Sequence, residues 1–287
     1  MSIYAYNQKY SKELLALYEQ REVAKILDMT FEYITNMVRT DRIVNQFMSL
    51  TPEQNTKLEE IAVQLMLGKP IQYVINEAWF GGLKLYVDNN VLIPRPETDE
   101  LVDWIVRDQA AIVENTPQFK ILDIGTGSGC IPLSLKKKLF KVELYAIDIS
   151  QKALEIAKKN AATYRTNIEL KELDILDESK WGELGTYNVI VSNPPYIKNS
   201  EKSSMHKNVL DYEPATALFV SDKEPLTFYN KIALFAQTHL VDNGALYVEI
   251  NEALGKETIS LFNNYGFSTL LKKDLQGKDR MIKAWKR

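Results

Sequence analysis

Asn193-Pro194-Pro195-Tyr196 is the stretch of this chain best suited to holding a small planar group. It closes the apolar run Val189-Ile190-Val191-Ser192, which reads as a buried parallel strand. The tetrapeptide therefore falls at a carboxyl end, where open α/β sheets place their ligands. Two prolines fix φ and remove two backbone donors, so the carbonyls of Asn193 and Pro194 can be aimed outward beside the Asn193 side chain. Such a corner offers acceptors to an NH2 group, and Tyr196 can cover that group's flat face. It suits an amide or an exocyclic amine better than a hydroxyl or a thiol. An ordinary proline turn would show the same four residues; a glycine-rich turn upstream argues against that plainer reading.

That turn is Asp123-Ile124-Gly125-Thr126-Gly127-Ser128-Gly129. It follows a short strand, Phe119-Lys120-Ile121-Leu122, and leads into a helix through Ile131-Pro132-Leu133-Ser134-Leu135 with proline in its first turn. Glycines let the backbone approach a ligand closely, and the helix start offers free N–H groups. A dinucleotide fingerprint would want glycines at 125, 127 and 130, but the third is Gly129 and Cys130 follows it. The spacing is wrong for a nicotinamide or flavin enzyme, and the Lys-Ser/Thr ending of a P-loop is missing. Asp123, in the strand end before the first glycine, suits a ligand with a cationic amino-acid end. The next strand, 142–147, ends in Asp148, where a ribose-binding carboxylate belongs, although Asp148 could instead cap the helix that follows. Asp174, after the strand 168–173, could accept a hydrogen bond from an adenine amino group; Glu172 and Asp177 are close alternatives.

Asp123 to Gly129, Asp148, Asp174 and Asn193 to Tyr196 together resemble the ordered motifs of class I S-adenosylmethionine-dependent methyltransferases, in the form that methylates planar amino or amide nitrogens. Ile93-Pro94-Arg95-Pro96-Glu97-Thr98-Asp99-Glu100-Leu101-Val102 resembles the signature preceding the catalytic domain in the HemK/PrmC family of protein-(glutamine-N5) methyltransferases, which act on peptide chain release factors. Gly68-Lys69-Pro70-Ile71-Gln72-Tyr73 and Glu213-Pro214-Ala215-Thr216-Ala217-Leu218 are similar to that family as well, and the resemblance covers nearly the whole chain. It implies an α/β fold: a Rossmann-like, mostly parallel sheet with an antiparallel terminal strand, plus a small N-terminal helical bundle. It implies S-adenosyl-L-methionine as donor and the glutamine of a Gly-Gly-Gln motif in class I release factors as acceptor. The donor-binding residues it implies are Asp123, Gly125, Thr126, Gly127, Ser128, Gly129, Asp148, Ile149, Asp174, Ile175 and Asn193. It also places Arg95, Glu97 and Thr98 beside the donor, with Thr98 capping the first helix of the catalytic domain; without it, Arg95 and Glu97 could be a solvated pair in a linker. Asn193, Pro194, Pro195 and Tyr196 would hold the acceptor amide. Family members often carry an aromatic residue just after the third acidic position; here it is Ile175, and Trp181 is out of register.

Two rivals differ in class. A methyltransferase of the adenine exocyclic amine in nucleic acid uses the same tetrapeptide, but it needs a basic channel, and the net charge is −3. A non-catalytic adaptor that kept the fold would have no need of Asn193. The expected partner is thus a protein, with no membrane and no direct nucleic-acid contact.

The elements that must position these residues follow from patterning. At 287 residues, 45% apolar and 25% charged, the chain has room for two domains of an ordinary globular protein. Residues 1–75 read as helical and as the docking surface for substrate. The clearest helix has Thr51 as N-cap, Pro52 at its first position and Gln54 completing a capping box. Leu58, Ile61, Ala62 and Leu65 then repeat at helical spacing, and Gly68 supplies the stop. Leu14, Leu15 and Tyr18, then Val23, Ala24, Ile26 and Leu27, suggest two more short helices. Residues 76–96, with Gly81-Gly82 between alternating segments, read as a linking β-hairpin. Residues 97–287 alternate strand and helix, as a parallel catalytic sheet requires. In it Ser150 caps one helix, Pro225 opens another, 245–250 is a strand, and the last two strands lie near 267–271 and 281–285 around Gly277. The polar segment 198–215 reads as irregular: a mobile loop near the substrate, or a plain surface loop. The single cysteine, Cys130, excludes an internal disulfide, and His206 and His239 lack metal-ligand spacing, so no metal is expected. No apolar segment approaches the ~20 residues of a membrane span, and the N-terminus lacks the pattern of a signal peptide, so the expected location is cytoplasmic.

Overall fold

In the computed structural model, which describes residues 1–286, five helices precede the first strand: α1 (Ile3–Leu14), α2 (Gln20–Thr35), α3 (Arg39–Val44), α4 (Pro52–Met66) and α5 (Ile71–Ile75). α4 begins as its sequence dictates. The Thr51 hydroxyl accepts from the Gln54 N–H at 3.2 Å, and the Gln54 side chain accepts from the Thr51 N–H at 3.0 Å, so two otherwise orphaned donors are satisfied. Its Leu58, Ile61, Ala62 and Leu65 are buried together with Tyr6, Tyr10 and Leu14 of α1 and Ile26, Leu27 and Phe31 of α2. α1 stops before Leu15, which is exposed, whereas Tyr18 beyond it is buried and donates to the Leu65 carbonyl at 3.0 Å. Gly68, at φ +83°, follows the end of α4. These helices form one compact unit, Met1–Glu77, which also includes the segment His206–Tyr212.

The second unit comprises Ala78–Met205 and the chain from Glu213 onward. β1 (Glu77–Phe80) and β2 (Leu83–Tyr86) form a two-stranded sheet around Gly81 and Gly82, both at positive φ. Then come α6 (Pro96–Asn115), β3 (Phe119–Ile124), α7 (Cys130–Lys138), β4 (Val142–Asp148), α8 (Gln151–Thr163), β5 (Glu169–Glu172), β6 (Tyr187–Ser192) and β7 (Ile197–Lys198). α9 (Lys207–Tyr212), β8 (Phe219–Val220), α10 (Thr227–His239), β9 (Leu240–Glu249), α11 (Gly255–Asn264), β10 (Phe267–Lys273) and β11 (Asp279–Lys286) complete the chain. Seven strands make one sheet in the order β10-β11-β9-β6-β3-β4-β5. The pairings β3–β4, β4–β5, β3–β6 and β6–β9 are parallel, and β11 is antiparallel to both of its neighbours.

Successive residues of the central strands point to opposite faces, and both faces are covered, which is why these strands read as continuous apolar runs. Ile121, Val189, Val191 and Tyr247 pack with Leu101, Val102 and Ile105 of α6 and Leu133 and Leu135 of α7. Leu122, Ile190, Leu246 and Val248 pack with Ile232 and Phe235 of α10 and Phe262 of α11. Among the described residues no helix is long and apolar enough to cross a membrane.

Three local expectations need correction. Thr98 does not cap α6: the N-cap is Arg95, Pro96 takes the first helical position that suits a residue without an N–H, and Thr98 lies two residues further in, buried. The segment 198–215 is not irregular; it contains a 3-10 turn at Asn199–Ser204, then α9, then a second turn at Ala215–Ala217. Pro225 stands just ahead of α10, which begins at Thr227.

Candidate active site

A cavity of about 550 Å³ opens over the carboxyl ends of β3, β4, β5 and β6, where the strand order turns from one side of β3 to the other. Its floor is the glycine turn. Gly125 and Thr126 donate their N–H groups to the Ile147 carbonyl at 2.9 and 3.1 Å, which ties the turn to the end of β4. Gly125 and Gly127 have φ of +77° and +52°, and a Cβ on either would meet open space, as backbone facing a ligand requires. Gly129 differs: a Cβ there would come within 3.3 Å of the Ala157 Cβ, so this glycine lets α7 lie close to α8.

Asp123 is fully buried beneath the turn, and neither carboxyl oxygen has a hydrogen-bond partner; the hydroxyls of Thr126 and Ser128 are likewise buried and unpartnered. Burial pushes the Asp123 carboxyl up to about 7, the nearby Thr126 hydroxyl draws it down, and the Asp148 charge adds to the rise. A buried acid without a partner is costly unless a ligand supplies one, and a cationic group is what it lacks. Asp148 accepts from the Gly127 N–H and the Ser150 N–H, each at 2.9 Å, so it clasps the turn and the start of α8 together. Burial raises its pKa, and those N–H groups draw it back down. Ser150 itself caps α8, accepting from the Ala153 N–H at 3.2 Å. Asp174 accepts from the Leu176 N–H at 2.9 Å, and Ile149, Ile175 and Leu176 give the adjoining wall an apolar surface. Trp181 points elsewhere: its indole N–H donates to the Ile175 carbonyl at 3.1 Å and its ring packs edge-on against Phe235.

The opposite wall carries Asn193, Pro194 and Pro195. Ser192 donates to the Ile124 carbonyl at 2.8 Å, which locks the ends of β6 and β3 together. The Asn193 Nδ2 donates to the Thr98 hydroxyl at 3.0 Å, and that hydroxyl donates to Glu249 at 2.6 Å. Tyr196 lies behind the wall rather than in it, with its hydroxyl donating to the other Glu249 oxygen at 2.9 Å. Arg95 and Thr98 line the cavity, whereas Glu97 sits in the first turn of α6 without reaching it. Arg95 does not pair with Glu97. Its guanidinium donates to Glu213 at 2.6 Å, and the same buried carboxylate accepts from the Ile93 N–H at 3.2 Å. The two segments that looked like separate family signatures, 93–102 and 213–218, are therefore joined by one ion pair.

A family model described as "Methyltransferase small domain" matches residues 109–215. The "Release factor glutamine methyltransferase" of Flavobacterium psychrophilum is 44% identical over 285 residues, covering 99% of both chains. That of Bacteroides thetaiotaomicron is 45% identical over 231 residues, covering 79% of this chain and 80% of its own. The chain belongs to the release factor glutamine methyltransferase family. Among solved structures, the hMettl16 catalytic domain in complex with MAT2A 3'UTR hairpin 6 superposes with a TM-score of 0.54 at 16% identity, covering 80% of this chain and 81% of that one, a likeness of fold.

Asp123, expected to bind the donor, does not itself line the cavity; it lies buried and unpartnered beneath the turn, where a cationic end such as the amino group of S-adenosylmethionine would supply the charge opposite to its own. The residues present fit that donor. Motif reading passed over Glu249 and Glu213, and it gave Thr98 a capping role. Glu249 had one visible signal, a carboxylate ending the apolar run Ala245-Leu246-Tyr247-Val248; Glu213 had none outside the family likeness.

Proposed function

We propose that this enzyme methylates the side-chain amide nitrogen of the glutamine in the Gly-Gly-Gln motif of peptide chain release factors, with S-adenosylmethionine as donor. The observation that carries this reading is a single cavity whose floor is the glycine turn, with the buried, unpartnered Asp123 beneath it, and whose wall carries Asn193. Bound there, S-adenosylmethionine supplies a methyl group already activated on a sulfonium, whose C–S bond breaks with its electrons left on sulfur as the N–C bond forms. Asp123 pairs with the cationic amino end, and Gly125 and Gly127 leave room for the backbone to lie against the ligand. Asp148 and Asp174 offer carboxylate oxygens to ribose hydroxyls and the adenine amine.

A primary amide nitrogen is a poor nucleophile because its lone pair is delocalised into the carbonyl. Acceptors placed at both of its N–H bonds, the Asn193 side-chain oxygen and the Pro194 carbonyl, orient it and favour the positive charge that develops there. The proton leaves after transfer, when that nitrogen has become acidic, so no strong base is needed beside it. Arg95 and Glu213 hold the two lining segments in place, and Ile149, Ile175 and Leu176 receive the adenine. The helical unit, residues 1–75 above all, docks the release factor, because one glutamine side chain offers too little surface for specificity. Methylation of an adenine amine in nucleic acid is not favoured: relatives aligned over the chain's full length are release factor glutamine methyltransferases.

Mass spectrometry of a purified release factor after incubation with enzyme and donor tests the reading. One added methyl on the Gly-Gly-Gln glutamine is expected, and it should vanish with Asn193→Ala while donor binding survives. A methyl found only on a nucleic-acid adenine would overturn it.

A further inference from the structure

Glu249 ends β9 as a buried carboxylate, only 1% exposed, and belongs to none of the motifs. Two hydroxyls donate to it: Thr98 to Oε2 at 2.6 Å and Tyr196 to Oε1 at 2.9 Å. The direction of these bonds matters. Thr98 has one proton and gives it to Glu249, so only its lone pairs remain for Asn193. The Asn193 Nδ2 therefore faces Thr98, at 3.0 Å, and the Oδ1 must face away from it.

We infer that Glu249 is a positioning residue for the methyl transfer: acting through Thr98, it sets which end of the Asn193 amide meets the acceptor, while its second oxygen holds Tyr196. This rests on the reading of Asn193 as the holder of the acceptor NH2 group. An NH2 group needs an acceptor opposite it; presenting Nδ2 instead would set donor against donor. If Glu249 takes up a proton, the carboxyl can donate to Thr98, the Thr98 proton can turn to Asn193, and the amide is stable only when flipped.

The groups around Glu249 bear on that protonation. Arg280 of β11 favours the charged form, Glu97 of α6 opposes it, and the Tyr229 hydroxyl of α10 donates to the Glu249 backbone carbonyl at 3.0 Å. Burial, the largest influence, holds the carboxyl above the ordinary carboxylate range, and the hydroxyls of Thr98 and Tyr196 draw it down. The charged, productive state is thus lost as pH falls through a raised value, and the rate should fall on the acid side.

Glu249→Gln puts an NH2 group against one of the two hydroxyls. The expected result is a kcat lower by about a hundredfold, as for a misplaced catalytic group, with melting temperature and donor affinity kept and the acid limb of the pH–rate profile gone. Thr98→Val should lose a similar factor, and Thr98→Ser, which keeps the hydroxyl, should recover most of it. The side-chain NH2 resonances of Asn193, assigned by their loss in Asn193→Asp, should move with pH in the wild type and stand still in Glu249→Gln. Wild-type kcat with an intact acid limb in Glu249→Gln overturns the inference. So does a fall in kcat matched by equal falls in donor affinity and melting temperature, which is what structural support alone would give; should Glu249→Gln fail to fold, equal rates for Thr98→Val and Thr98→Ser overturn it. A wild type that methylates no glutamine, but whose Asn193 resonances follow Glu249, would remove the acceptor assignment and leave the relay standing.

Discussion

Asp123 is a fully buried acid whose carboxyl oxygens have no hydrogen-bond partner, an unfavourable condition for a charged group. Its carboxyl, raised to about 7, holds a proton in the folded chain that the unfolded chain would release near 4. The native state therefore binds more protons, so stability is fully present below the unfolded value and declines as pH rises through about 7. A cationic ligand end reverses the preference by favouring the carboxylate. Donor affinity measured by calorimetry should rise between about pH 6 and about pH 8, and Asp123→Asn should abolish that rise while flattening the decline in melting temperature. Affinity indifferent to pH would place the cationic end elsewhere. Asp148→Ala should weaken donor binding at least about tenfold, since each charge-assisted contact to a ribose hydroxyl contributes roughly 1.5–3 kcal/mol. Unchanged affinity with a lowered melting temperature would leave Asp148 only its visible task of clasping Gly127 and Ser150. Asp123, Asp148 and Asn193 were legible because each stands at or next to the end of an apolar run, where the sheet exposes its ligands. The role of Glu213 was not, because its partner Arg95 lies 118 residues away along the chain.

At the scale of elements, local chemistry was readable where it acts within a few residues. The α4 capping box is the clear case, and Thr51→Ala should lower stability by about 1 kcal/mol, seen in thermal melts as a small fall without change in helical content elsewhere. No shift at all would mean that the packed face of Leu58, Ile61 and Leu65 fixes the helix start unaided. The central strands β3, β6 and β9 were equally legible, because strands covered on both faces are apolar nearly throughout. The capping role that the family resemblance implied for Thr98 fails for a different reason: Pro96 already occupies the first helical position, and a tertiary partner, Glu249, claims the hydroxyl. α9 was missed because its polar composition signals a loop, and its anchor is distant: the Tyr212 hydroxyl donates to the Leu67 carbonyl at 2.9 Å.

For the whole molecule, the proposed docking role of the helical unit has a specific surface to test. On and just after α3, Val44 is 82% exposed and Phe47 73%, with Ile43 and Met48 beside them, an unusual concentration of apolar side chains in water. Val44→Ser with Phe47→Ser should raise KM for intact release factor by about tenfold or more, with melting temperature and turnover of a short Gly-Gly-Gln peptide unchanged. Equal effects on protein and peptide would make that surface irrelevant to docking. The helical unit also includes His206–Tyr212, made long after its first 77 residues. Its apolar core runs from Ile3 to Ile75 and takes in no residue of α9, none of whose side chains is buried. On the ribosome, then, the part of the chain made first holds all of its own core before the parallel strands of the second unit appear, and α9 joins it afterwards.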